Sequence, residues 1–465
     1  MDRDVMDGRD TDVVVVGAGG GGLTAALAAA EQGAGVALLE KLDRPGGNTF
    51  VSTGSIPAAG SRYQRDAGIE DSAERMVADL SRQSGPHGTG HLLRLLAEGS
   101  ADLVEWLVES HSVDLRLITD YRHVGHSVPR LHAPPDRRGA SLTRDLLAAV
   151  RRLGVDVVTG NPVARLLTDD GRVNGVVVDG PRSGTYELRA PAVVLASNGF
   201  GNNRDMVARW IPGISGARYS GAEGSTGEAI TWAAALGARL ENMGAYQGYA
   251  ALAHPHGSIV SWTTVEKGGF LLSPHGDRMG DESVGYSGFA PVVALAAEES
   301  HVVFDTRIRD FVREHEPEFA ELVEAGGVRE APDAPSLAAV IGCDTSAVER
   351  ALEDQRHAAV TGTADSMGRT DFPMGALRAP YCAVRSVPAI FHTQGGVDVD
   401  EHAAVRTTAG GVIQGLHAVG GVAAGISGRS GAGGYSSGNG LLTAVGLGRI
   451  AGEAAAQTAA HTAAS

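Results

Sequence analysis

Four valines, Val13 to Val16, run straight into Gly17-Ala18-Gly19-Gly20-Gly21-Gly22, and Glu40 stands 23 positions after the first of these glycines. Glycines at this spacing let main-chain N–H groups reach a pyrophosphate at the start of a helix. A carboxylate at the end of the following strand accepts hydrogen bonds from a ribose. The chemistry is dinucleotide binding, and the rival is a glycine-rich turn with no ligand. A second cluster, Pro45-Gly46-Gly47-Asn48-Thr49, comes immediately after, followed by Ser52-Thr53-Gly54-Ser55. A nicotinamide dinucleotide needs no second glycine-rich loop here. A flavin does, because its ring system lies far from its adenine and requires its own backbone cradle.

Other reactive residues suggest less. His123 with His126, and His254 with His256, have no convincing third ligand, and among 16 histidines such pairs arise by chance, so no metal is expected. Cys343 and Cys382 are the only cysteines, too few for a disulfide framework, an iron–sulfur cluster or a haem attachment site. They are expected to be inert, in a reducing compartment, with an organic redox cofactor.

These groups need elements to hold them. Val13–Val16 reads as a buried strand, the alanine-rich stretch to about Gln32 as a helix, and Val36-Ala37-Leu38-Leu39-Glu40 as a second strand. Arg172 to Val178 reads as a strand after a turn. Ala192 to Leu195 reads as a buried strand ending in Ser197, Asn198 and Gly199, small residues suited to packing on a nucleotide. From Val292 to Ala358 helical periodicity dominates, with acidic runs such as Glu314 to Glu321. Glycine-rich strands return at Gly395 to Asp400 and Gly415 to Gly421, then a loop from Gly425 to Gly440 leads into a helix over about 441–459. The last residues read as an uninformative Ala/Thr tail. The fold class is α/β: a Rossmann-like nucleotide-binding domain in two parts, 1–244 and 376–465, with an inserted α+β domain over 245–375.

Across all 465 residues the net charge is −16, with no basic patch, so a nucleic-acid partner is not expected. The uncharged stretch Val13 to Ala30 is long enough to resemble a membrane span, but its glycines and valines suit strand, turn and helix better. With a charged, polar start lacking a signal-peptide core, the expectation is a soluble, cytoplasmic protein.

At this point the chain resembles the fumarate reductase/succinate dehydrogenase flavoprotein superfamily over nearly its whole length. The resemblance rests on Gly17 to Gly22 with Glu40, Gly46-Gly47-Asn48-Thr49, Thr226-Gly227-Glu228-Ala229-Ile230, Arg278-Met279-Gly280-Asp281-Glu282, His392-Thr393-Gln394-Gly395-Gly396 and the closing glycine-rich loop. It implies that the two-part domain is an FAD-binding domain and the inserted one a capping domain, with FAD held by Gly17, Gly19, Gly22, Glu40, Lys41, Gly46, Gly47, Asn48, Thr49, Ser52, Val163, Gly199, Gly421, Asn439 and Leu441. Members with covalent FAD carry a histidine just before the glycine pair. Asp43-Arg44-Pro45 stands there, which implies non-covalent FAD.

Fumarate reductases grip a dicarboxylate with two histidines and two arginines. Arg278 and His392 match that pattern, but Tyr246-Gln247-Gly248-Tyr249 replaces the family's Gln-x-His-Pro-Thr, and Tyr435 falls where the substrate arginine should be. Three places instead resemble the 3-ketosteroid dehydrogenases: Asp120-Tyr121, Tyr286 after Glu282-Ser283, and Tyr435-Ser436-Ser437-Gly438-Asn439. This branch implies a C=C bond introduced beside a ring ketone, in a 3-ketosteroid or a smaller cyclic ketone, with an external electron acceptor. Such a reaction needs a donor to the carbonyl, a base for the α-proton, and flavin to take hydride from the β-carbon. The resemblance assigns the carbonyl to Tyr435 and the main chain near Asn439, and the proton to Tyr286, with Tyr121 or Ser437 as relay; the two main tyrosines could exchange roles. Arg278 either acts at the reacting carbon or organises the cap through an ion pair. The competing expectation is an FAD-linked reductase or dehydrogenase of a carboxylate of the fumarate/succinate type, using Arg278, His392 and Arg429 on the substrate.

Overall fold

The structure is a computed structural model and describes residues 10–120, 123–181, 184–296 and 299–464. The chain forms two compact units. The first comprises residues up to Trp210, Gly221–Tyr246 and His392 onward; the second comprises Ile211–Ser220 and Gln247–Phe391.

The first unit is built on a six-stranded sheet in the order 404–406, 412–418, 192–195, 13–16, 36–39, 157–158. Its central strand, Val13–Val16, pairs in parallel with Ala192–Leu195 on one side and Val36–Leu39 on the other. All four valines are buried, as a continuous β-branched run requires when both faces of a parallel sheet are covered. The helix Gly20–Glu31 begins directly after the turn. At Gly22 a Cβ would fall 1.8 Å from the Gly17 carbonyl oxygen, so only glycine lets this helix start so close to the strand it leaves.

Arg172–Gly180 is a strand, as its sequence suggests, but it lies in a separate antiparallel sheet with Val163–Asp169 and Gly184–Arg189. Val173, Val176, Val177 and Val178 are buried there. The final helix runs from Asn439 to Ala464, and its small residues press against Gly20–Glu31. Gly448 and Gly452 are what let the two helix backbones approach this closely, since a Cβ there would fall 2.6 Å from the Gly21 carbonyl oxygen and 2.2 Å from that of Ala25.

In the second unit, Ser300–Asp305 pairs antiparallel with Phe270–Leu272 and with Tyr381–Ser386. Helical periodicity over 292–358 therefore hides two strands, Ser300–Asp305 and Arg329–Ala331. Ser300–Asp305 is buried along its whole length, and a short run buried on both faces has no period of two to read. The division of the chain also differs from the sequence boundaries. The second unit continues past residue 375 to Phe391, because Tyr381–Ser386 belongs to its ladder, and it includes the short segment Ile211–Ser220, whose Arg218–Tyr219 pairs with Ala389 and Ile390. Among the described residues no helix is long and apolar enough to cross a membrane.

The helix contact predicts an inverted propensity effect. In an exposed helix, Gly→Ala stabilises by about 1 kcal/mol. At Gly452 a Cβ would lie 2.2 Å from the Ala25 carbonyl oxygen, a backbone atom that cannot move aside cheaply. Gly452→Ala should therefore destabilise the protein by about 1–3 kcal/mol, seen as a lower thermal midpoint. A raised midpoint would show that the two helices do not touch here.

Candidate active site

The first glycine turn is held by Glu40. One carboxylate oxygen accepts from the Ala18 N–H and the other from the Leu42 N–H, both at 2.9 Å. The second turn docks on the first: Gly46 N–H donates to the Ala18 carbonyl, and Gly20 N–H donates to Thr49 Oγ1 at 3.0 Å. The Asn48 side-chain oxygen accepts from Ala222 N–H at 2.6 Å, and Ser52 Oγ ties Thr49 to Gly54. The structure thus brings Gly17, Gly19, Gly22, Glu40, Gly46, Gly47, Asn48, Thr49 and Ser52 together. The helix from Gly20 has no side-chain cap, and the space that a Cβ on Gly19 would enter has the Gly46 carbonyl, at 3.6 Å, as its one neighbour within 4 Å. A helix start whose first N–H is taken by Thr49 and which borders open space suits a pyrophosphate.

Lys41 is otherwise engaged. Its ammonium bonds Thr226 Oγ1 at 2.7 Å and pairs with Glu228 at 2.8 Å, which draws that carboxyl below its usual range against the effect of burial. It anchors the segment 226–228 rather than facing the glycine turn. Val163 opens the separate antiparallel sheet, half-buried and paired with Val178.

A second constellation gathers where Gly199, Gly421, His392 and Asn439 meet. A Cβ on Gly421 would sit 2.5 Å from Asn198 Oδ1, 2.6 Å from Gly199 N and 2.9 Å from His392 Nε2. A Cβ on Gly440 would sit 3.8 Å from both the Tyr435 hydroxyl and Gln394 Nε2, and 3.9 Å from His392 Nδ1. Three polar side chains therefore surround the point in front of Gly440, at the first turn of the helix Asn439–Ala464. Asn439 Oδ1 and Ser436 Oγ, both buried, have no hydrogen-bond partner among the described residues. Open glycine cradles and unmatched buried polar atoms fit a large polar cofactor. Leu441 lies in that same first turn, while Arg429 is exposed on the closing loop.

The closing loop is held from behind. His126 Nε2 lies 2.9 Å from the Ser437 carbonyl, and Ser437 N–H donates to the Val124 carbonyl. Behind His126, the fully buried Arg130 is paired with Asp71 at 2.6 Å and Asp79 at 2.7 Å. Tyr121 lies outside the described residues; its neighbour Asp120 pairs with Arg137 at 2.5 Å.

In the second unit, Arg278 is not a free cation. It pairs with Glu282 and Asp365, both at 2.9 Å, and lies over the Phe270 ring. Glu282 also accepts from Leu271 N–H and pairs with Arg369. Of the two roles the sequence allows Arg278, the ion-pair role is the one seen. Losing one partner of such a buried cluster typically costs about 3–5 kcal/mol. Tyr286 stands in the first turn of Gly285–Ala296, half-buried, its ring 5.0 Å from that of Tyr249. Tyr249, which donates to the Val260 carbonyl at 3.0 Å, is kept protonated by burial.

Sequence reasoning gave Gln394 no role of its own, placed Asn198 only among the small residues suited to packing on a nucleotide, weighed His126 only as half of a metal pair, and passed over Arg130. Asn198 had a signal: an asparagine before glycine at a strand end readily adopts positive φ, here +69°. Arg130 had none, since Asp71 and Asp79 are more than 50 residues away.

Comparison with known proteins completes the site. The FAD binding domain family matches residues 12–440. A probable fumarate reductase of Shewanella frigidimarina (strain NCIMB 400) is 30% identical over 456 residues, 97% of this chain and 75% of that protein. The open conformation of a flavocytochrome c3 fumarate reductase superposes with a TM-score of 0.80 at 29% identity, over 97% of this chain and 79% of that one. A 3-ketosteroid-Δ4-(5α)-dehydrogenase from Rhodococcus jostii RHA1 superposes with a TM-score of 0.76 at 25% identity, over 97% and 98%. The fold and site are thus those of an FAD-dependent oxidoreductase acting on CH–CH groups. The chain belongs to the FAD-binding family of fumarate reductase and succinate dehydrogenase flavoproteins.

Two expectations follow. Glu40→Ala frees two turn N–H groups. Hydrogen bonds to a charged acceptor contribute about 1.5–3 kcal/mol, so FAD affinity should fall by roughly 10- to 150-fold in a dissociation titration. An unchanged affinity would separate Glu40 from the cofactor.

The second concerns pH. Burial holds His126 and His132 down to about 4 and His123 to about 3. The unfolded chain takes up protons at these groups near 6.5, whereas the folded chain does not until about 4 or below. The folded state therefore loses stability as pH falls through that window, at up to about 1.4 kcal/mol per pH unit for each histidine. Thermal midpoints recorded from pH 7 to 4.5 should drop, and less steeply in His132→Gln; equal slopes would show His132 to be protonated in the fold.

Proposed function

We propose that the protein is an FAD-linked reductase or dehydrogenase working on a CH–CH bond conjugated with a carboxylate, as in an α,β-unsaturated acid. The observation that carries this is the convergence in front of Gly440 of the Tyr435 hydroxyl, Gln394, His392 and the start of a 26-residue helix. Hydride addition to the β-carbon, or in the reverse direction loss of the α-proton, places negative charge on the carbonyl oxygen. The Tyr435 hydroxyl, the second N–H of the Gln394 amide and a positive helix end stabilise that charge where it develops. FAD, when bound, supplies the hydride acceptor or donor. Asp43-Arg44-Pro45 before Gly46 supports non-covalent attachment, with an external partner for the electrons.

The similarity to a fumarate reductase over three quarters of that protein moves the reading from the ring ketone to the carboxylate. One observation favours the ketone as a second reading. One of the three polar groups within 4 Å of that point is a tyrosine hydroxyl, which suits a neutral carbonyl, and Arg278 is occupied by two carboxylates.

A panel separates the two. Anaerobically reduced protein should be reoxidised faster by fumarate or another unsaturated acid than by cyclic enones. Tyr435→Phe should slow reoxidation by roughly 10²–10³-fold while FAD content stays normal. Reoxidation by cyclic enones alone would replace the carboxylate reading with the ketone reading.

A further inference from the structure

We propose that Gln394 is a positioning residue that locks His392 as its Nε2–H tautomer and turns that N–H toward Asn198, Gly199 and Gly421. Gln394 Nε2 lies 2.9 Å from His392 Nδ1. An amide nitrogen only donates, so Nδ1 accepts, and the one proton of a neutral imidazole sits on Nε2. The Nε2 edge is the one bordering Gly421 and Asn198.

The glutamine is itself held. It is 1% exposed, its main-chain N–H donates to the Ala245 carbonyl at 2.8 Å, and its main-chain carbonyl accepts from Gly425 N–H at 2.7 Å. A Cβ on residue 425 would lie 2.3 Å from Gln394 Oε1, so the glycine leaves room for the amide in this orientation. His392 also stays uncharged, since burial brings it down to about 4. Tyr435 is the titratable neighbour facing it, and Asn198, Gly421 and Gly440 carry no charge. A group with this environment contributes a directed hydrogen bond, not a positive charge. The inference rests on the proposed function only in taking His392 to face substrate or flavin.

The test uses the FAD-loaded protein labelled with ¹⁵N-histidine, with His392→Gln to assign the His392 signals. At pH 7 the native protein should show a protonated Nε2 and an unprotonated Nδ1. In Gln394→Met, which keeps the length but loses the donor, the signals should move toward a tautomer mixture. Reoxidation of the flavin by an unsaturated acid should slow at least fivefold. In Gln394→Glu, a carboxylate beside Nδ1 should draw the proton there and raise the His392 titration by roughly 1–3 units. A native protein with the proton on Nδ1 overturns the inference, as does a Gln394→Met spectrum identical to the native one. If the tautomer shifts as expected while reoxidation rates stay native, the tautomer lock stands and His392 is removed from the reaction, which overturns the reading of the site instead.

Discussion

The bidentate grip of Glu40 on the Ala18 and Leu42 N–H groups is the constraint on which the cofactor site depends. A glycine turn is conformationally free, and that freedom is an entropic cost to the folded state. Each of the two carboxylate oxygens removes some of it, one at the turn and one at the end of the second strand. With the turn fixed, Gly46 can dock on Ala18 and Thr49 can accept from Gly20. The second loop thus inherits its position from the first. A carboxylate oxygen has more than one lone pair, so Glu40 can perform this internal task and still accept from a ribose.

The other face of the first unit depends on a buried charge. Arg130 is fully buried between Asp71 and Asp79, and it sits behind His126, which reaches the Ser437 carbonyl. Burying a guanidinium is tolerable only with such pairing. The arrangement gives a loop rich in glycine and serine a rigid backing, and Tyr435, Ser436 and Asn439 stand on that loop. Gly125 fits the same purpose, since a Cβ there would meet Ser436 Oγ at 2.1 Å.

The second unit repeats the principle with Arg278, Glu282, Asp365 and Arg369. An arginine committed to two buried carboxylates organises its surroundings and has little capacity left for a ligand. This separates the present chain from a site in which that arginine is free to grip a dicarboxylate.

The sequence by itself determined the dinucleotide turn, the flavin cradle and the parallel core, because each is written in contiguous residues whose spacing matches one local geometry. Val13–Val16 with Gly17 to Gly22 admits few conformations, and Glu40 lies a single strand away. The tertiary structure alone decided the commitments of polar side chains. Lys41 is turned to Glu228, Arg278 to Asp365 and Arg130 to Asp71 and Asp79, by partners roughly 50 to 190 residues distant, and a lone basic residue carries no local mark of its partner. The strand Ser300–Asp305 was illegible for a related reason: burial on both faces erases the alternation that would announce it. The hydrogen on His392 belongs to the same class, set by an amide two residues away whose oxygen lies where Gly425 leaves room for it.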